Sequence, residues 1–162
     1  MDYYFTIENT LDNIEINKAK SLFCSVEFHE NICNKVPGTA LNIHRSDLIG
    51  DRYVLERSYN LELDMPDIIR RLLKDNLRIS RSDSWNFKEL NAISTLKSNL
   101  PGLLTYTTTL KESDNRLQVR QDWQLEINTP LIHKVLAKFA ESEIRKFHKI
   151  EMNIIQSELS KT

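Results

Sequence analysis

The chain has 162 residues, 40% hydrophobic and 28% charged, with a formal net charge of −1. That length is enough for a single domain over 1–162 with a sizeable buried core. The balanced charge, with no basic stripe, argues against a dedicated nucleic-acid binder, and no apolar run approaches the ~18 residues that an integral membrane segment needs. Three glycines and four prolines leave no flexible linker, no low-complexity tract and no internal repeat is apparent.

The segment Met1-Asp2-Tyr3-Tyr4-Phe5 lacks the basic and apolar regions of a signal peptide. Residues 2–9 alternate, with Tyr3, Phe5 and Ile7 on one side, and predict a first strand. Residues 13–35 predict two short helices, Ile14–Phe23 and Val26–Lys35, closed by Pro37-Gly38. Cys24 and Cys33 fall in this helical stretch, where they could not easily pair, and read as free thiols of a cytoplasmic protein. Strands at 39–49 and 52–63 meet at Gly50-Asp51, a hairpin signal. Asp64 is the expected cap of a short helix, Asp67–Lys74. Strands follow at 77–88, 91–100, 103–112 and 116–128, broken at Lys88–Leu90, Pro101-Gly102 and Ser113-Asp114-Asn115. In the last of them Leu117, Val119, Gln121, Trp123, Leu125 and Ile127 share one face. Thr129 and Pro130 then open one long amphipathic helix over 130–158, about 40 Å at ~1.5 Å per residue.

This order is one strand, two helices, six strands with a small helical insertion, and one long helix. Sequential strands with short connections form an antiparallel meander, and the sheet must bury one face under the long helix. The expected class is α+β: a curved sheet of about seven strands gripping a C-terminal helix, with a ligand cavity between them.

The run Met65-Pro66-Asp67-Ile68-Ile69-Arg70-Arg71-Leu72-Leu73, then Leu77-Arg78-Ile79-Ser80-Arg81 and Ser84-Trp85, resembles the uncharacterised family domain of unknown function 2505. Pro130-Leu131-Ile132 at the start of the last helix also fits, whereas His133-Lys134 stands where the family often has Gly-Gly-Lys. That family belongs to the START-like superfamily, which shares its helix-grip fold with the birch-pollen allergen and includes polyketide cyclases, dehydratases and lipid-transport proteins. The resemblance implies the fold and carries over no activity.

On the long helix Ile132, Leu136, Phe139, Ala140, Phe147, Ile150 and Ile154 form an apolar stripe, with Glu143 in its middle. Strand parity turns Arg57, Arg81, Asp83 and Gln121 toward the same interior. Two readings fit. Two arginines against two carboxylates make a self-compensated network joining helix to sheet. They also make a polar floor that would orient the head of an amphipathic ligand, because a guanidinium can bond two oxygens of an anionic group at once. Tyr59, Trp85, Tyr106, Trp123, Phe139 and Phe147 would be plain core or the wall of that cavity. Glu143→Ala is expected to cost several kcal/mol (about 3–5) if it orphans a buried arginine.

His29-Glu30-Asn31-Ile32-Cys33 has a superficial likeness to a zinc-protease helix, but no third ligand is evident. His133 and His148 fall off the stripe and read as surface residues. There is no nucleophile elbow, phosphate loop or dinucleotide fingerprint, and no cofactor or metal is implied. Lys134, Lys138, Glu141, Arg145, Lys146 and Lys149 form an exposed helix face that could touch a membrane surface transiently. The expected function is non-enzymatic binding of a small hydrophobic or amphipathic, lipid-like ligand. The alternatives are a cyclase- or dehydratase-type enzyme using Asp83 and Glu143 as acid and base, or an interaction module with a closed cavity. Nothing in the sequence specifies an oligomeric state.

Overall fold

The computed structural model describes residues 2–160. Met1 of the N-terminal segment, and Lys161 and Thr162 at the end of the expected domain span, lie outside the described residues. Seven strands run β1 (Asp2–Asp12), β2 (Gly38–Ile49), β3 (Arg52–Leu61), β4 (Leu77–Asn86), β5 (Asn91–Ser98), β6 (Leu103–Ser113) and β7 (Arg116–Glu126). They form one antiparallel sheet in the order β1-β7-β6-β5-β4-β3-β2. Helices α1 (Ile16–Phe23) and α2 (Val26–Lys35) carry the chain from one edge strand to the other. A short helix α3 (Asp67–Arg70) sits between β3 and β4, and α4 (His133–Ser160) closes the fold. This is the expected seven-stranded helix grip.

Local chemistry explains the turns. Gly50, at φ +61°, supplies the left-handed backbone of the β2–β3 hairpin. Asp114 and Asn115 both take positive φ between β6 and β7, as a two-residue hairpin turn with the strand twist requires. Gly102 (φ +120°) leaves a β-carbon's place only 2.8 Å from the Glu126 carbonyl oxygen, so this turn packs on β7 at a distance no side chain allows.

Several boundaries differ from expectation. β1 continues to Asp12, fully paired with β7 through Asp12 and Arg116. α3 is one turn with Pro66, not Asp64, at its cap. Residues 76–78 are drawn to the sheet instead: the Asn99 amide donates to the Asn76 carbonyl at 2.8 Å and its oxygen accepts from the Arg78 N–H at 2.9 Å. α4 is entered through a 3-10 turn, Pro130–Ile132, in which Leu131 is fully exposed.

The concave face holds three apolar clusters. Leu55, Phe23, Phe28, Leu117, Met152 and Ile155 belong to one, under α1, α2 and the last turns of α4. Ile7, Trp123, Leu125, Leu136 and Ala137 belong to another, under its first turns. Val36, Leu61 and Leu77 lie at the far side. The buried residues of α4 are Leu136, Ala137, His148, Met152, Ile155 and Leu159: the expected stripe is buried at Leu136, and beyond it the most buried line lies about one residue step (~100°) round from that stripe. His148 is therefore buried, contrary to its reading as a surface residue. The expected stripe is the more apolar line, but its middle also lines a cavity, so Phe139, Ala140 and Phe147 pack against the neighbouring clusters and stay half-buried.

Candidate functional site

The site is built by cross-strand register. Leu55 of β3 faces Asp83 of β4, Asp83 faces Ser94 of β5, Ser94 faces Tyr106 of β6, Tyr106 faces Trp123 of β7, and Trp123 faces Phe5 of β1. One row of the sheet thus runs from a carboxylate to a stack of aromatic rings. Tyr106 and Trp123 stack with centroids 4.0 Å apart, and Phe5 lies parallel to Trp123 at 5.7 Å. In the adjoining row Arg57 directly faces Arg81. Two cations opposed in this way repel unless an anion lies between them.

Asp83 is that anion. Its carboxylate accepts from Ser94 Oγ at 2.5 Å, Arg81 Nε at 3.3 Å, Arg57 Nη2 at 3.5 Å and Tyr106 OH at 3.5 Å. Burial alone would push the Asp83 carboxyl upward, but the two guanidiniums and the Ser94 hydroxyl outweigh it and hold the group below the usual carboxylate range. Arg81 Nη2 also donates to the Tyr106 hydroxyl, and its guanidinium lies 5.4 Å from that ring's centroid. Arg57 Nη1 donates to His29 Nδ1 at 2.7 Å, and His29 Nε2–H donates to the Phe23 carbonyl at 2.7 Å. His29 is thereby fixed as a neutral imidazole, and burial, reinforced by Arg57, pushes it down to about 3. Both its nitrogens are thus engaged within the protein. Among the described residues no cluster of three or more His, Cys, Asp or Glu is placed to hold a metal ion. Cys24 and Cys33 are free thiols.

Above this network, between sheet and α4, lies a cavity of about 150 Å³. Its wall is mostly Leu, Ile and Phe. Of the residues singled out from the sequence, Tyr59, Arg81, Tyr106, Gln121, Trp123, Phe139, Glu143 and Phe147 line it. Arg57, Asp83 and Trp85 do not; they surround a smaller hollow of about 30 Å³ beneath, which shares Arg81, Tyr106 and Gln121 with the larger one. Trp85 is sandwiched between Phe23 and Phe87, both ring pairs at 5.0 Å, and packs half-buried against the core cluster of α1 and α2.

Glu143 does not meet either arginine. Its carboxylate pairs with Lys146 at 3.2 Å, one turn along the same helix. Among the described residues Asp83 alone pairs with both arginines, and Glu151 of α4 lines both hollows. Sequence reasoning missed Glu151, Ser94, His29 and His148. For Ser94 the signal was present, since strand alternation turns it inward with Ala92. For Glu151 and His148 it was not, because the azimuth of α4 is set by docking.

The exposed face of α4 is partly used. The Tyr3 hydroxyl donates to Glu141, Arg145 Nε donates to Glu141 at 2.7 Å, and the Arg145 guanidinium lies over Phe5. This cluster fastens α4 to β1. Lys134, Lys138, Lys146 and Lys149 remain exposed.

Comparison with solved structures agrees with this architecture. The Zhui aromatase/cyclase of a Streptomyces species superposes with a TM-score of 0.69 at 9% identity, over 99% of this chain and 94% of that one. The ginseng major latex-like protein 151 of Panax ginseng gives 0.61 at 8% identity, over 98% and 97%. Ara h 8.0201 gives 0.58 at 12% identity, over 96% and 99%. The fold is the START-like helix grip. At these identities the likeness is one of fold alone. No family model matches the chain, so the narrower likeness to domain of unknown function 2505 stands unconfirmed, and no curated protein matches it in sequence.

Proposed function

We propose that this chain binds a small hydrophobic or amphipathic molecule in the cavity between sheet and α4, as a binder and not as a catalyst. The observation that carries the reading is the cavity between sheet and α4: about 150 Å³ of mostly apolar-walled space with a few polar groups, Arg81, Tyr106 and Gln121 among them. Interiors of folded proteins seldom leave such space unfilled. The exposed lysines of α4 suit transient contact with an anionic membrane surface during loading.

One of the structural neighbours is by name an aromatase/cyclase, which keeps the enzymatic reading in view. Against it stands the state of the nominated acid–base pair. Asp83 is held as a carboxylate by two arginines, and Glu143 is engaged with Lys146. Asp83 is therefore not arranged to hold a proton for transfer near neutral pH.

Native mass spectrometry of freshly purified protein tests the proposal. A stoichiometric added mass that is lost on denaturation is the expected result. A bare protein mass, together with no binding of any small apolar probe at millimolar concentration, would overturn it in favour of an interaction module.

A further inference from the structure

The unpaired polar atoms of the interior fall into two sets. Both ring nitrogens of His148 and the Nε of Arg57 are sealed even from a water molecule, so no ligand reaches them. The Gln121 amide nitrogen, Arg81 Nη1 and the Glu151 carboxylate are not sealed, and no hydrogen bond engages them among the described residues. Gln121, Arg81 and Glu151 each line both hollows.

Their chemistry is complementary. Gln121 is only 7% exposed, and its Oε1 accepts from Trp123 Nε1 at 3.1 Å. An indole N–H can only donate, so the oxygen is fixed toward Trp123 and the amide NH2 is left over, with two donors to offer. Arg81 spends Nε on Asp83 and Nη2 on Tyr106, which leaves the two N–H groups of Nη1. The sheet side therefore presents donors. From α4, Glu151 presents acceptors only.

The charges select among polar heads. Arg57 and Arg81 share one contacting carboxylate, Asp83, and one positive charge is left over. Glu151 stands near enough for its charge to act on Arg81 and Tyr106, yet no hydrogen bond or ion pair joins it to either. It balances the arginines at a distance and lacks a donor in contact. Glu143, the other carboxylate on the wall, is paired with Lys146. An anionic head on the donors would face Glu151. A cationic head on Glu151 would face two guanidiniums that one carboxylate serves. Either charge would be desolvated in a mostly apolar space without gaining a net counter-charge. An uncharged head that accepts on one side and donates on the other disturbs neither balance.

We propose that the cavity takes a small carboxamide: Gln121 Nε2 and Arg81 Nη1 donate to its carbonyl oxygen, Glu151 accepts from its N–H, and the Leu, Ile and Phe wall takes the apolar part. The proposal rests on the binding reading above and names the ligand class. A cavity of about 150 Å³ holds roughly one aromatic ring, so benzamide is a suitable probe.

The test is calorimetric titration of the intact chain with benzamide, acetophenone, toluene, benzoate and benzylamine. Benzamide is expected to bind roughly tenfold or more tightly than toluene, benzoate and benzylamine, with acetophenone, which has the carbonyl but no donor, in between. Gln121→Leu should weaken benzamide and acetophenone roughly fivefold and leave toluene unchanged. Glu151→Gln removes the distant negative charge, so benzoate should gain roughly tenfold while benzylamine gains nothing. In the wild-type protein the Gln121 side-chain amide resonances should move on adding benzamide and stay still on adding toluene, a reading independent of whether the variants fold. Tightest binding of benzoate or benzylamine, equal binding of benzamide and toluene, or an unmoved Gln121 amide would overturn this proposal and leave the binding reading standing. Binding of none of the five would remove both.

Discussion

Asp83 lies between two guanidiniums that face each other across the sheet, and that position decides what its loss would do. With the carboxylate neutralised, Arg57 and Arg81 remain buried or nearly so with their mutual repulsion uncompensated. Asp83→Asn should therefore cost roughly 3–5 kcal/mol in urea unfolding. Glu143→Ala should cost less than about 1 kcal/mol in the same experiment, because its partner Lys146 is mostly exposed and such pairs contribute little. The reverse order of the two losses would mean that Glu143, not Asp83, neutralises the arginines. The inward turn of Arg57, Arg81 and Asp83 was legible from alternation alone, since side chains on a strand repeat every two residues. The partner of Glu143 was not legible: a carboxylate on a helix can reach a basic side chain on the next turn as easily as one on the sheet.

At the scale of elements, strand and helix carry different amounts of information. Each strand shares one face with its neighbours through a continuous register, so parity on β4 fixes which way Trp85 points. What Trp85 touches depends on α1, which brings Phe23 against it at 5.0 Å. The ring lies beneath the Arg–Asp network and away from the larger cavity. Trp85→Ala should then destabilise the protein by about 2–4 kcal/mol, toward the lower part of the range for a large aromatic because the ring is half-buried, while probe binding in the cavity between sheet and α4 at temperatures well below unfolding is unchanged. Loss of binding in a variant of undiminished stability would instead make Trp85 part of the cavity wall. For α4 the apolar periodicity was correct in kind and displaced in azimuth. The stripe read from the sequence lines the cavity, whereas the side in closest contact with the fold carries a histidine and a methionine.

For the molecule as a whole, the buried polar layer between cluster and cavity makes stability depend on pH. Folded His29 takes up a proton only at about 3, against an ordinary 6.5, because it is buried and faces Arg57. Between those values the unfolded chain binds the extra proton, so stability falls as pH is lowered, by about 1.4 kcal/mol for each unit below 6.5. His148 acts in the same direction. Asp83 adds stability that is complete above its unfolded value of about 3.9 and is lost as pH falls through its depressed folded value. Thermal melting followed against pH should show the midpoint dropping from about pH 6.5 downward, well before ordinary carboxylates titrate, and a flat midpoint over the two units below that would refute a neutral, buried His29. The sequence by itself determined the number and order of strands, the antiparallel meander, the long closing helix and the inward faces of β3, β4 and β7, because hydrophobic period and turn chemistry are local properties. Tertiary structure alone decided where on α4 the packed line runs, that His148 is buried with no hydrogen-bond partner among the described residues, that Glu151 and not Glu143 lies beside the arginines, and that a cavity stays open. Those outcomes depend on the curvature of seven paired strands and on the rotation of one helix against them, quantities that no short stretch of residues encodes.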